Sequence, residues 1–196
     1  MRFARWPAAA AALMMTVLLP AGSLASVAAI PSSTCAAGTV PGYLAGVAAT
    51  SSSNAWAAGY HSTGTSLQTL IEHWTGTAWR QQASPNPAGF SFGSQLAGVA
   101  ATSSSSAWAV GQSVKDVGPT VAQTLIARWN GTAWAQVPSP NPGGTGSGSE
   151  NLLGSVYALS SSSAWAVGRY ATSPSAAGHT LVIHWNGTAW KQQPSP

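Results

Sequence analysis

Charge is what this chain lacks most. Of 196 residues, three are acidic and seven are basic, 5% in all, where about 25% is usual. Nucleic-acid recognition needs clustered Lys and Arg, and those present are scattered, so nucleic acid is not an expected partner. Glycoside hydrolysis commonly needs two neighbouring carboxylates. Glu72, Asp116 and Glu150 occupy three different sequence contexts. Cysteine is as scarce: Cys35 is alone, which excludes an intrachain disulfide. A lone cysteine in an exported chain suggests a free thiol or an intermolecular bridge. Neither a Cys-x-x-Cys motif nor a phosphate loop is present. Beyond residue 40 nothing has the length or period of a helix. No cofactor and no metal are expected, and no enzyme activity.

A long hydrophobic run is also missing. The uncharged apolar stretch at residues 7–19 falls short of the roughly 20 residues that cross a bilayer. Arg2 and Arg5 precede it, Pro20 and Gly22 break it, and Ser23-Leu24-Ala25 offers small residues at a cleavage site. This is the layout of a secretory signal peptide over 1–25, with a second cut available after Ala29. A secreted, extracellular bacterial protein is expected, with no membrane span after removal. Five basic residues (Arg80, Lys115, Arg128, Arg169, Lys191) then face the three acidic ones, a net charge of +2.

What the chain has in abundance is tryptophan, ten in all, and repetition. Trp56, Trp108 and Trp165 occupy one repeat position. Trp74, Trp129 and Trp185 occupy a second; Trp79, Trp134 and Trp190 a third. Every interval lies between 52 and 57 residues, the signature of a repeat architecture. The repeats are bounded as 42–87, 96–142 and 153–196, with a linker at 26–41. Each breaks into four short apolar runs. In the second these are 96–101, 107–111, 124–129 and 132–137, punctuated by Ser, Asn, Gly and Pro. Such runs read as strands. Leu125, Ala127 and Trp129 fall on one side of the third strand, Ile126 and Arg128 on the other. Apolar residues on both sides suit a sheet packed on both faces. Asn130-Gly131, and again Asn186-Gly187, predict two-residue hairpins between the third and fourth strands. Thr75-Gly76 replaces them in the first repeat and predicts a looser turn, because Thr is β-branched. The hairpins also account for the glycosylation sequons at Asn130 and Asn186. Four antiparallel strands per repeat, stacked face to face, make a blade of a β-propeller. The expected fold is all-β and propeller-like, with three four-stranded blades in an incomplete ring.

The pattern Leu-x-Gly-Val-Ala-Ala, Ala-Trp-Ala-Val-Gly, Thr-Leu-Ile-x-His-Trp-Asn-Gly-Thr-Ala-Trp and Pro-Ser-Pro-Asn-Pro resembles Trp-rich repeat proteins exported by soil bacteria. Those are taken as kelch-like or galactose-oxidase-like propellers. The resemblance covers Leu44 to the end and implies a propeller. It departs where such repeats often carry Asp: Asn54, Ser106 and Ser163 stand there. The kelch Gly-Gly doublet and the sialidase-type Asp are absent from the repeats. The Cys-linked tyrosine of a galactose-oxidase-like enzyme finds no counterpart, since Cys35 lies outside the repeats.

Loops between strands two and three, at 60–68, 112–123 and 169–179, differ in length, as do the connections 88–95 and 143–152. All of these fall on one face of a blade stack, where binding residues concentrate. His61, His179 and Arg169 are the ligand-contact candidates there. His73, Arg128 and His184 share one repeat position; Arg in the middle rules out a metal set, and they read as half-buried strand residues. Trp79, Trp134 and Trp190, on the outer strand, are candidates for a sugar-stacking platform. The expected function is binding: carbohydrate recognition through the variable loops, or else a structural or protein-interaction module of the cell exterior. A hydrolase or oxidase ranks last. Three blades leave two apolar faces in water, so a homodimer closing a six-blade ring is expected, the alternative being a cap by residues 26–41.

Overall fold

A computed structural model describes residues 41–195; the expected signal peptide, all of the linker before Pro41, and Cys35 lie outside the described residues. Repeat 1 forms β1 (Gly42–Ser51), β2 (Asn54–Ser62), β3 (Leu67–Trp74) and β4 (Trp79–Gln82). Repeat 2 forms β5 (Gly93–Ser103), β6 (Ser106–Lys115), β7 (Val121–Trp129) and β8 (Trp134–Gln136). Repeat 3 forms β9 (Glu150–Ser160), β10 (Ser163–Ala171), β11 (His179–Trp185) and β12 (Trp190–Gln193). The described residues contain no helix. Each repeat is an antiparallel meander in chain order. The twelve strands form two sheets, one of eight strands and one of four. The larger is two meanders joined by a single parallel bridge between Leu67 and Gly93, where the Leu67 N–H donates to the Phe92 carbonyl at 3.0 Å.

The apolar residues on both sides of β7 explain the packing. Leu125, Ala127 and Trp129 join Trp56, Ala58 and Ile71 of repeat 1 in one core, with Leu96, Val99 and Trp134. Ile126, Trp108 and Val110 look the other way, into a second core with Leu153, Leu181, Ile183, Trp185 and Trp190 of repeat 3. The two junctions are built alike. Trp56 lies 4.9 Å from Trp129 and stands edge-on to Trp134 at 5.2 Å. Trp108 lies 5.0 Å from Trp185 and edge-on to Trp190 at 5.2 Å. Tilted and edge-on aromatic pairs at these separations are favourable beyond their buried area. The first strands come closest: a Cβ on Gly98 would sit 3.2 Å from the Ser155 Cα, so glycine sets that approach.

The Trp-to-Trp hairpins depart from the expected form. The bend lies one residue beyond Asn-Gly. Trp129 pairs with Trp134, and the Asn130 N–H donates to the Ala133 carbonyl at 3.3 Å, so Gly131 and Thr132 form the bend. The Asn130 side chain braces this bend without setting its place, since Thr75-Gly76 bends identically in repeat 1. The Asn130 Oδ1 accepts from the Thr132 N–H at 2.9 Å, the Thr132 hydroxyl at 2.8 Å and the Ala133 N–H at 2.9 Å. Asn186 does the same for Thr188 and Ala189. The glycine alone takes the left-handed backbone, with φ of +93° at Gly76 and +97° at Gly131 and Gly187. Thr75 therefore flanks the bend in repeat 1, and its N–H and hydroxyl both donate to the Ala78 carbonyl, at 3.1 and 3.2 Å.

Candidate binding clefts

Chain order puts the hairpin turns at one end of each meander. The β2–β3, β6–β7 and β10–β11 loops lie at the other end, with the connections between repeats. Among the clefts of the described residues, two open at this loop end at the junctions, one at each. The first, of about 400 Å³, is lined by Ser66, Leu67, Phe92, Gln95 and Val114 among others. The second, of about 470 Å³, is lined by Gln112, Thr120, Ser149, Glu150, Arg169 and Ser173 among others. The clefts occupy equivalent places but differ in chemistry. The first carries an exposed aromatic ring, Phe92. Both carry a carboxamide and hydroxyls, and the second adds an ion pair, Arg169 Nη2 to Glu150 Oε1 at 2.7 Å. The Gln112 Oε1 is buried and has no hydrogen-bond partner among the described residues.

The segments that follow the fourth strands of repeats 1 and 2 are held by polar clamps that the sequence displays only as Pro-Ser-Pro-Asn-Pro. Asn86 Oδ1 accepts from the Thr69 N–H at 2.8 Å, and the Thr69 and Ser84 hydroxyls meet at 2.7 Å. Asn141 Oδ1 accepts from the Thr124 N–H at 2.8 Å, and Thr124 meets Ser139. Asn151 is fully buried between repeats 2 and 3. Its amide donates to the Ala122 and Gly144 carbonyls at 3.1 and 2.9 Å, and its Oδ1 accepts from the Gly143 N–H at 2.7 Å. The connection that forms one wall of the second cleft is thereby tied to both repeats.

The candidates from sequence scatter. Arg169 lines the second cleft. His179, at the start of β11, is exposed and stacks on Tyr170 at 5.1 Å. His61, near the end of β2, is half-buried, and its Nδ1 lacks a partner among the described residues. The outer-strand tryptophans begin the fourth strands, at the turn end and away from both clefts. Trp134 and Trp190 are buried, because the neighbouring repeat covers them; they are not an open platform. Trp79 alone is exposed.

His73, Arg128 and His184 prove to be lids on the second-strand tryptophans. His73 stacks on Trp56 at 4.1 Å, and His184 on Trp165 at 4.3 Å. The Arg128 guanidinium lies 5.0 Å from the Trp108 ring and 5.4 Å from Trp185, and donates to the Ser161 carbonyl at 3.1 Å. Burial lowers the His73 pKa and raises that of its neighbour Glu72. Among the described residues no three of His, Cys, Asp and Glu converge.

Phe92, Gln112 and Glu150 were not singled out as lining residues, although all three fall in the variable segments 88–95, 112–123 and 143–152. Residues 89–93 also spell Gly-Phe-Ser-Phe-Gly, the letters of a hydrolase nucleophile elbow, which requires a strand-to-helix turn. Here the segment is a turn leading into β5, and Ser91 Oγ accepts the Asp116 N–H at 2.8 Å, a tie between two loops. No protein-family model matches the chain, and no curated protein aligns with it significantly.

Proposed function

We propose that this chain is an exported, propeller-like binding protein that takes carbohydrate in the cleft between repeats 2 and 3. The observation carrying the reading is the lining of that cleft. Hydroxyls and a paired carboxylate and guanidinium surround a space of about 470 Å³, within the usual range for a small-ligand site. Sugar hydroxyls donate and accept at once, which suits such a mixture; a strongly charged ligand would want unpaired charge. An apolar partner would want the aromatic lining that this cleft lacks. The three-blade description is part of the same reading, supported by the three meanders and their two equivalent junctions. Export is supported by the basic, then apolar, then small-residue start of the sequence.

A glycan-binding screen on the purified protein tests this. Binding is expected to weaken about tenfold or more in Glu150→Ala and Arg169→Ala, since each leaves ligand polar groups unpaired. A folded protein that retains no glycan, or variants that bind as the parent does, would sink the proposal. The reading as an interaction module draws on a separate observation, the exposed apolar faces of repeats 1 and 3.

A further inference from the structure

Each internal junction has two halves. The donor half is a second-strand tryptophan under its lid, Trp56 under His73 or Trp108 under Arg128. The acceptor half is a pair of tryptophans at the third and fourth strands, Trp129 with Trp134 or Trp185 with Trp190. Leu96 and Val99, or Leu153 and Val156, lie beside the pair. Each half occurs a third time with no described residue covering it. On repeat 3 the donor tryptophan is Trp165, 38% exposed where Trp56 and Trp108 are 0%. Val167, Tyr157 and Leu159 beside it are 46%, 68% and 61% exposed. On repeat 1 the acceptor is Trp74 with Trp79, the latter 46% exposed where Trp134 and Trp190 are 8% and 5%. Leu44 and Val47, at the positions of Leu96 and Val99, are 49% and 70% exposed.

Both free halves already hold the geometry of the covered ones. Trp165 lies 4.3 Å from His184 at 28°, against 4.1 Å and 20° for Trp56 and His73. Trp74 and Trp79 are 5.8 Å apart at 50°, against 5.9 Å at 43° and 6.1 Å at 48° in the covered pairs. A preformed surface binds without first ordering its side chains. We propose that the chain binds a second copy of itself head to tail, Trp165 of one copy seating against Trp74 and Trp79 of the other. This contact is heterologous: it joins two different faces, so each copy has one of each to offer. Glu72 stands on the acceptor face where repeats 2 and 3 carry Ala127 and Ile183, a carboxylate the contact has to desolvate.

Sedimentation of the full chain, as recovered from an expressing host, is expected to show mass beyond the monomer at micromolar concentration. Two single-face variants decide the geometry. Tyr157→Glu damages the donor face and Val47→Glu the acceptor face. Both side chains are mostly exposed in the single copy, so its fold is expected to keep its circular dichroism and melting temperature. Each variant alone should be monomeric. Mixed in equal amounts they should form a heterodimer, because one supplies an intact donor and the other an intact acceptor. Glu72→Ala should tighten the parent association severalfold. A parent that stays monomeric at 100 times that concentration overturns the proposal. So do variants that self-associate normally, a mixture that stays monomeric, or a Glu72→Ala that weakens the contact.

Discussion

Asn130 acts through its side chain, which fastens a turn whose position it does not set. The dipeptide Asn-Gly marks a hairpin because both residues tolerate positive φ. The carboxamide offers another use, since one oxygen can hold two backbone N–H groups of a four-residue loop. Repeat 1 makes the same bend with Thr75 in place of asparagine, so the glycine and the flanking tryptophan pair place the turn, and the carboxamide, with the Thr132 hydroxyl on it, fastens it. Gly131 still takes φ +97°, and a Cβ there would meet the Ser105 Cβ at 3.2 Å. Gly131→Val is expected to cost about 1–3 kcal/mol, read by denaturant titration. An unchanged midpoint would refute the left-handed backbone. His73 gives a pH signature. Burial holds its imidazole below the ordinary histidine value, so the unfolded chain takes up the proton first as pH falls. The stability it contributes is full above about pH 6.5 and drains away below. Glu72 works in the opposite sense at lower pH, because burial raises its pKa and its protonation favours the folded state. His73→Gln should flatten the loss of stability between about pH 7 and 5; an unaltered slope would assign that loss to other groups.

At the scale of the element, strands were the legible part. Their punctuation by Ser, Gly, Asn and Pro, and the two-faced pattern of β7, follow from side-chain alternation alone. The clamps were not legible, because they join residues 15 to 17 apart in sequence and a proline-rich segment reads as mere connection. Thr124 is their pivot, buried with its N–H and hydroxyl engaged by Asn141 and Ser139. Thr124→Val removes the hydroxyl and leaves its partners in a part-buried site. The expected cost is about 1–3 kcal/mol, measured by thermal melting, with the second repeat's outer edge loosened. The loop face was legible, but how its clefts are composed was not, for a related reason. Each is made by two repeats at once, so Gln112 and Glu150, far apart in the chain, carry no shared local signal. Trp134 and Trp190 show the same effect: an outer-strand position reads as exposed until the next repeat covers it.

At the scale of the molecule, the tryptophans differ by place and not by sequence. Trp108 and Trp165 share a motif and a strand position, yet one is fully buried and the other is not. Trp108→Ala is expected to cost about 3–5 kcal/mol, the range for a large core truncation. Trp165→Ala should cost clearly less in the single copy. Equal losses in calorimetry would contradict the difference in burial. The stacking has a kinetic consequence as well. Among the described residues, repeat 2 is covered on both faces, while repeats 1 and 3 are each covered on one. In a stack with nearest-neighbour coupling, opening starts where a layer has a single neighbour. Amide protons of β6 and β7 should therefore exchange last, through global unfolding alone. Those of β1 and β12 should exchange through opening of the ends, and a second copy seated on those ends would slow them first.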